Sequence, residues 1–295
     1  MQNHPIYQLS SRIVDELAGL FPDIATELGI DGHDDKWTDF SPEGAEHALH
    51  TLRRLRNDVD AVPPPETDWD RLAIELAKGT LDEEAAYFEH EDHLRNLNSM
   101  ASNLQSLREI WDHMGRSSAE DWTNILYRLE GMPAALEGYR ASLDKGRQRG
   151  MAVAERQVRA AVEQCRVSAS QTSRFTKLLE DYAKDSSSDG LLTRLEAAVT
   201  DVRKAFSQFG DYLADTYATD SPERDGVGEE RYVRAAYEFL GTNIDPAATY
   251  EWGWDQVAEL SAAMQTVANE ISPGLDVASA NELLQTDPAR TVPDS

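Results

Sequence analysis

The sequence contains very little cysteine and no long apolar segment. Cys165 is the one cysteine among 295 residues, which excludes an internal disulfide and a CxxC zinc site. No run of about 18 apolar residues occurs, so we predict that no segment spans a membrane. The opening residues, MQNHPIYQLSSRIVDEL, lack a basic stretch followed by an apolar one and do not resemble a signal peptide. We therefore expect a soluble, cytoplasmic protein.

Basic residues are scarce relative to acidic ones. The chain carries 28 lysines and arginines against 54 aspartates and glutamates, a formal net charge of −26 at pH 7. Because phosphate recognition needs clustered basic side chains, this balance excludes a general nucleic-acid binder and disfavours an anionic membrane surface as partner. Solvation of an acidic surface is enough to explain the charge. The hydrophobic content of 40% is too high for a disordered chain.

Strand-like alternation is nearly absent, whereas helical spacing of apolar residues runs through most of the chain. The clearest stripes, with steps of mostly three or four, lie within residues 6–20, 191–213 and 257–271. The sequence therefore predicts an all-α fold, an elongated array of about ten to twelve helices. We expect one domain over residues 1–295, with a secondary boundary near residues 185–190.

Several helix starts are marked by capping residues. Ser41-Pro42 and Asp245-Pro246 each read as an N-cap followed by proline in the first helical position. Thr80-x-x-Glu83 and Ser118-x-x-Asp121 fit the capping-box pattern. The longest predicted break in helical structure is DSPERDGVG, residues 220–228.

Two pairs of histidines are the first candidates for a metal site. His90 and His93 flank two acidic residues, but they are three apart, whereas HExxH places its histidines four apart. We expect a solvated polar face on a helix over 81–98 here, with metal binding as the minor alternative. His47 and His50 have the same spacing and receive the same interpretation. The Glu-x-x-His pattern of di-iron bundles is absent from the sequence.

Other catalytic patterns are weak. Cys165 lies in a helical segment, AAVEQCRVSAS, where a buried small apolar role is more common than a nucleophilic one. Gly226-Val227-Gly228 begins like a dinucleotide-binding loop, but Arg231 stands at its last glycine position and no strand precedes it. Neither the phosphate-binding GxxxxGK[ST] pattern nor the esterase GxSxG pattern occurs.

Aromatic residues concentrate on both sides of the predicted turn at 241–245. Packing between helices is the ordinary explanation for such a concentration, and the wall of a cleft or interface is the functional one. Arg231 and Tyr232 are our candidate substrate-binding residues, because a guanidinium and a phenol could bind a peptide carboxylate or carbonyl. A structural ion pair from Arg231 to Glu229 or Asp255 is the alternative. The aromatic residues are Tyr232, Tyr237, Phe239, Tyr250, Trp252 and Trp254.

Four stretches in order, together with an opening segment, resemble one known family. The opening segment is PDIATELGIDGHDDKWTDFSPEG, and the four stretches are LRNLNSMASNLQSLREIWD, LEGMPAALEGYRASLDKGRQRG, VGEERYVRAAYEFLG and TYEWGWDQVAEL. Their order and spacing are similar to the amino-terminal half of the domain-of-unknown-function 885 family. The resemblance covers essentially the whole chain.

The resemblance implies a helical, cleft-bearing body similar to the thimet-oligopeptidase-like zincins, which are zinc metallopeptidases. The family's HExxH-type zinc motif lies in a carboxy-terminal half that this chain does not contain, so no catalytic or metal residue carries over to it. Zinc is expected only with that missing half, and a peptide-like substrate only for a full-length protein. The expected function is an inactive helical part of a substrate cleft; the alternative is a non-enzymatic scaffold.

Overall fold

The structure, a computed structural model, describes residues 4–185 and 190–289, and 75% of these residues are helical. No strand occurs among them, which confirms the all-α prediction. The α-helices are α1 (Pro5–Leu20), α2 (Pro22–Glu27), α3 (Pro42–Asp60), α4 (Asp68–Glu89), α5 (Asn103–Glu109), α6 (Ala119–Gln148), α7 (Glu155–Ala169), α8 (Arg174–Asp185), α9 (Gly190–Asp215), α10 (Glu229–Leu240), α11 (Pro246–Ile271) and α12 (Val277–Thr286). Short 3-10 turns lie at Asp92–Arg95, Ile110–Asp112 and Tyr217–Asp220.

The chain divides into two compact units between Asp225 and Gly226. This position lies inside the long break that the sequence marks at residues 220–228. The secondary boundary expected near residues 185–190 falls largely on residues 186–189, which lie outside the described part of the chain. The boundary between the compact units therefore lies closer to the carboxy terminus than the boundary that the sequence predicts near residues 185–190.

The larger apolar core of the first unit is built around α6, α7 and α9. Its aromatic side chains contact one another in series: the Trp111 ring meets Phe175 edge-on at 5.8 Å, and Phe175 stacks on Phe206 at 5.4 Å. Helices α7 and α9 approach closely where Gly210 faces Cys165, since a Cβ on Gly210 would lie 3.1 Å from the Cys165 Cβ. This packing accounts for the apolar stripe that the sequence shows in residues 191–213.

A second apolar cluster joins α1, α3 and α4. Ile6, Leu52 and Leu81 are completely buried in it. Its rim is polar: the hydroxyl of Tyr7 donates to the carboxylate of Asp70 at 2.9 Å. The pKa of Asp70 lies below its usual range, because the bonds it accepts from Tyr7, Thr67 and Glu66 outweigh burial. Helices α1 and α4 are thereby joined by a charge-assisted hydrogen bond as well as by apolar packing.

A buried arginine of α6 holds the loop that follows α2. Arg128 is fully buried, and its guanidinium donates to the carbonyl of Lys36 at 3.0 Å and to the Thr26 hydroxyl at 2.9 Å. It also donates to the carbonyls of Pro22 and His33, both at 3.2 Å. Since these acceptors are local carbonyl and hydroxyl groups, the charge is solvated by the loop itself. The segment Pro22–Gly44 that carries part of the family resemblance is thus fixed to α6.

The break between the two units is attached to the first unit. Arg147 in α6 pairs with Asp220 at 2.6 Å, and Arg156 in α7 pairs with Asp225 at 2.8 Å. Between them, the Glu155 amide donates to the Pro222 carbonyl at 2.9 Å. Residues 220–225 are therefore held by three polar contacts before the second unit begins.

Three of the four predicted helix starts are confirmed. Ser41, Ser118 and Asp245 are N-caps whose side chains accept amide hydrogen bonds from the first turn. The fourth, at Thr80, is wrong because Thr80 lies inside α4, which begins at Asp68. Thr67 is the cap there: its backbone is extended, with φ −131° and ψ 165°, and it forms a capping box with Asp70.

The second unit consists of α10, α11 and α12. Helices α11 and α12 pack at their small residues, since Ala268 and Ala280 are the residues buried in each. The Gln265 side chain donates to the Leu275 carbonyl at 2.7 Å across the connecting turn. Within residues 4–185 and 190–289, none of the helices combines the length and the apolar content that a membrane span requires.

Candidate functional site

The aromatic residues around residues 241–245 lie on two consecutive helices whose ends are well defined. Helix α10 is capped after Leu240 by Gly241, whose amide donates to the Tyr237 carbonyl at 2.7 Å and whose left-handed backbone (φ +66°) ends the helix. Asp245 is the N-cap of helix α11, and one of its carboxylate oxygens accepts from the amides of Ala247 at 2.9 Å and Ala248 at 3.1 Å. The predicted N-cap at Asp245 is confirmed, and the turn connects the two helices as the sequence indicated.

Helix α10 has none of its residues buried. The Phe239 side chain is 89% exposed, and Tyr232 and Tyr237 are also exposed. Such exposure is unusual for phenylalanine, which normally lies in a core. The first helix of the second unit thus presents apolar surface to solvent.

Helix α11 exposes a continuous apolar stripe. Its members follow one another by three or four residues, so they lie on one face of the helix. Each is between 52% and 67% exposed. We refer to this set as the α11 stripe: Tyr250, Trp254, Val257, Leu260, Met264 and Val267.

The other side of α11 is polar and acidic. Glu251, Asp255 and Glu259 are exposed there, with Glu270 near the end of the helix. Trp252 is exposed on this side as well, two residues from Tyr250 and therefore about 200° around the helix from it. Helix α11 is thus amphipathic although both of its sides are open to solvent in this chain.

The candidate substrate-binding residues lie near the start of α10. The Tyr232 side chain is 50% exposed and Arg231 is partly buried. As sequence neighbours on a helix they point about 100° apart. The ring contact found in the aromatic group joins Tyr250 to Trp254, whose centroids lie 6.1 Å apart in an edge-on arrangement within α11. A substrate role for Arg231 and Tyr232 stays a prediction.

The histidine pairs occupy different local structures. His47 and His50 are exposed on α3. His90 and His93 do not share the helix expected over 81–98, because α4 ends at Glu89 and Glu91 adopts a left-handed backbone (φ +58°). His93 then lies in the 3-10 turn beside Phe88, with ring centroids 5.4 Å apart. The break at Glu91 therefore separates the two imidazoles that the sequence placed on one helix.

Cys165 is completely buried in α7. Burial raises the pKa of its thiol to about 12. A thiol in this environment stays protonated near neutral pH and is a poor nucleophile. The structure places Cys165 in the main core, as the apolar interpretation of the sequence expected.

Zinc is the metal that the family resemblance implies. A catalytic zinc site takes three protein ligands on converging elements. Within residues 4–185 and 190–289, no group of three or more histidine, cysteine, aspartate or glutamate side chains is arranged to hold a metal ion. The residues described therefore do not fit a zinc site.

Comparisons with known proteins place the chain in a family and show its fold. The crystal structure of the putative lipoprotein from Colwellia psychrerythraea matches with a TM-score of 0.75 at 14% sequence identity. The match covers 98% of this chain and 55% of that chain, so this chain spans about half the length of the matched protein. At this identity the match shows the fold alone. None of the curated proteins matches.

The family model described as "Bacterial protein of unknown function (DUF885)" matches residues 22–295. The matched range includes the opening segment, all four stretches that carry the resemblance, the second compact unit and the first unit from residue 22 onward. The chain therefore belongs to the bacterial family DUF885, whose function is unknown.

Proposed function

We propose that this chain is the helical, non-catalytic region of a longer zinc-metallopeptidase-like protein and forms part of the wall of its substrate cleft. The observation that carries the proposal is the exposed aromatic surface on α10 and the first turns of α11. Tyrosine and tryptophan combine a broad apolar face with a polar tip, which suits contact with peptide side chains and carbonyls. Its members are Tyr232 and Phe239 on α10 and Trp252 on α11, all exposed.

Two further observations support a longer protein. The matched crystal structure has a chain of which this one spans 55%. The α11 stripe leaves a large apolar area in water, which a complete domain normally covers. The peptidase part of the proposal comes from the resemblance, which implies that the zinc ligands and the general base lie in a carboxy-terminal half.

Within this wall, Arg231 and Tyr232 are proposed to bind the substrate. A guanidinium can donate two parallel hydrogen bonds to a peptide carboxylate. A phenol hydroxyl can donate to a peptide carbonyl or accept from an amide. Both groups would position substrate without taking part in bond cleavage, so their loss should raise KM more than it lowers kcat.

The first test is metal and activity in the chain alone. The 295-residue protein, purified without a His tag, is dialysed after addition of one equivalent of Zn²⁺, and bound metal and hydrolysis of a mixed peptide library are measured. We expect neither tight zinc binding nor turnover. Near-stoichiometric zinc, with turnover lost on His90→Ala or His93→Ala, would overturn the proposal and place the site in the 90–93 segment.

The second test uses the longer protein. The coding sequence after the Ser295 codon is read in all frames, and any continuation with an HExxH motif is expressed in frame with this chain. Tyr232→Phe should raise KM several-fold for peptides, whereas Tyr237→Phe, an exposed tyrosine about 140° away on α10, should not. Equal effects of the two substitutions would remove the proposed role of Tyr232.

A scaffold without chemistry of its own is the second candidate. The observation that favours it is the same exposed surface, because aromatic residues are also enriched at protein interfaces. An unrelated gene directly after the Ser295 codon would favour the scaffold, and an HExxH-encoding continuation would favour the peptidase. Cell fractionation would test the cytoplasmic location, since the matched structure carries the name of a lipoprotein.

A further inference from the structure

The α11 stripe is too large and too regular to be scattered surface apolar residues. It runs from Tyr250 to Val267, about 26 Å along the helix at 1.5 Å per residue. Six half-exposed large side chains present on the order of 500 Å² of apolar surface, near the upper limit for a soluble monomer. In α11, only Ala268 is buried. Folding of the second unit therefore leaves this face uncovered.

Two observations decide between the occupants that could cover the face. The chain spans 55% of the matched structure, which has further polypeptide available to pack on it. A second copy of this chain would add another chain of net charge −26 to the complex, and like charges oppose association. A segment joined covalently also acts at a high effective concentration.

From these observations we infer that the α11 stripe is the docking face for the polypeptide encoded directly after residue 295, which packs on it through an apolar helix face. This inference rests on the proposed function in one respect: the further polypeptide is placed after residue 295 because the resemblance is to the amino-terminal half of the family. The acidic side of α11, with Glu251, Asp255 and Glu259, stays in water when the stripe is covered. Trp252 stays exposed with it and remains available to a cleft.

The experiment uses this chain and the polypeptide encoded after the Ser295 codon, produced separately. Their affinity is measured by titration calorimetry without zinc and without peptide substrate. Leu260→Asp places a carboxylate in the stripe, and Ala262→Asp places the same group on an exposed site about 160° away. Because an unpaired carboxylate is costly in an apolar contact, we expect Leu260→Asp to weaken binding at least about tenfold and Ala262→Asp to leave it unchanged.

Folding of the variants is checked independently. Leu260 is 60% exposed in the chain alone, so Leu260→Asp should leave its thermal midpoint unchanged. Val267→Asp, two turns further along the same face, serves as a second variant and should also weaken binding. Amide exchange in α11 should slow when the two polypeptides are mixed.

Several outcomes would overturn the inference. These are the absence of an encoded continuation, the absence of binding, and equal effects of Leu260→Asp and Ala262→Asp. Dimerisation of the chain alone, detected by sedimentation and abolished by Leu260→Asp, would assign the face to a second copy instead.

The outcome for the docking face is separable from that for the proposed function. A continuation that binds at the stripe but holds no zinc would keep the docking face and remove the peptidase. A zinc peptidase whose activity and association are unchanged by Leu260→Asp and Val267→Asp would keep the peptidase and remove the docking face.

Discussion

The guanidinium of Arg128 lies 5.1 Å from the centre of the Trp37 ring, and the indole Nε1 of Trp37 donates to the backbone carbonyl of Arg128 at 2.7 Å. The two residues are therefore joined by two contacts: a cation–π contact from the Arg128 guanidinium and a hydrogen bond from the Trp37 indole. Together with the guanidinium's bonds to the carbonyls of Lys36 and His33, this contact fixes the loop after α2 on α6.

We predict that Arg128→Met lowers the free energy of unfolding by about 3 kcal/mol or more, because it leaves several buried acceptors without donors. Arg140→Met on the same helix is the control. Arg140 is exposed, contacts the Tyr212 ring and pairs with Glu137, so its loss should cost no more than about 1 kcal/mol. Urea unfolding of the two variants checks the difference, and equal costs would show that the loop does not need the buried cation.

A second prediction compares two helical glycines. A Cβ at Gly146 in α6 would lie 2.1 Å from the backbone carbonyl oxygen of Leu94, whereas a Cβ at Gly79 in α4 meets no heavy atom within 4 Å. Gly146→Ala should therefore destabilise the protein by about 2 kcal/mol or more, since backbone must move. Gly79→Ala should stabilise it by about 0.5–1 kcal/mol through helix propensity. Thermal midpoints that shift in the same direction would contradict this pair.

The third prediction concerns the cap of α11. Asp245→Ala removes the acceptor for the amides of Ala247 and Ala248 and should cost about 1 kcal/mol of local helix stability. Amide exchange in the first turn of α11 is the direct measurement, with thermal unfolding beside it. Asp255→Ala removes the same charge from the helix interior and should slow exchange slightly or leave it unchanged. Unchanged exchange after Asp245→Ala would mean that the cap contributes nothing.

The fourth prediction is a pH dependence at His93. Burial, followed by the nearby charge of Lys145, lowers the pKa of its imidazole below the ordinary value of 6.5, and the Tyr87 backbone and Asp92 offset this only in part. The unfolded state then binds the proton more readily than the folded state, so stability is full above about pH 6.5 and is lost as the pH falls below it.

Unfolding free energies measured from about pH 8 to about pH 5 should therefore fall less steeply in His93→Gln than in the unchanged protein. His90→Gln is the control, because His90 is exposed at the end of α4. A slope that is the same in the unchanged protein and in His93→Gln would show that the buried imidazole takes no part in the acid sensitivity.

The sequence predicts the helices well and their surroundings poorly. The apolar stripes of α9 and α11 have the same spacing of three and four residues. In α9, Val202 and Phe206 are buried in the main core, whereas in α11, Leu260 and Met264 remain in water. Periodicity identifies which face of a helix is apolar, but it carries no information about which element covers that face. The exposed surface of the candidate site could therefore not be recognised from the sequence alone.

Local boundaries fail for a different reason. Thr67 and Thr80 are both followed three residues later by an acidic side chain, and only the backbone conformation decides that Thr67 is the cap. Just after the other end of α4, Glu91 has a left-handed backbone conformation, which glycine or asparagine adopts more often. Nothing in its residue type signals the break that separates His90 from His93.

The attachment of residues 220–225 to α6 and α7 has a consequence for how genes of this family could be rearranged. The residues of both apolar clusters precede Asp220, and the last of the three polar contacts is the ion pair between Arg156 and Asp225. A recombination joint placed between Asp225 and Gly226 would therefore keep the two clusters and all three polar contacts in one piece. Evolution could exchange the helices beyond that joint while inheriting an intact first unit, so the surface that meets other polypeptide could diversify separately from the core.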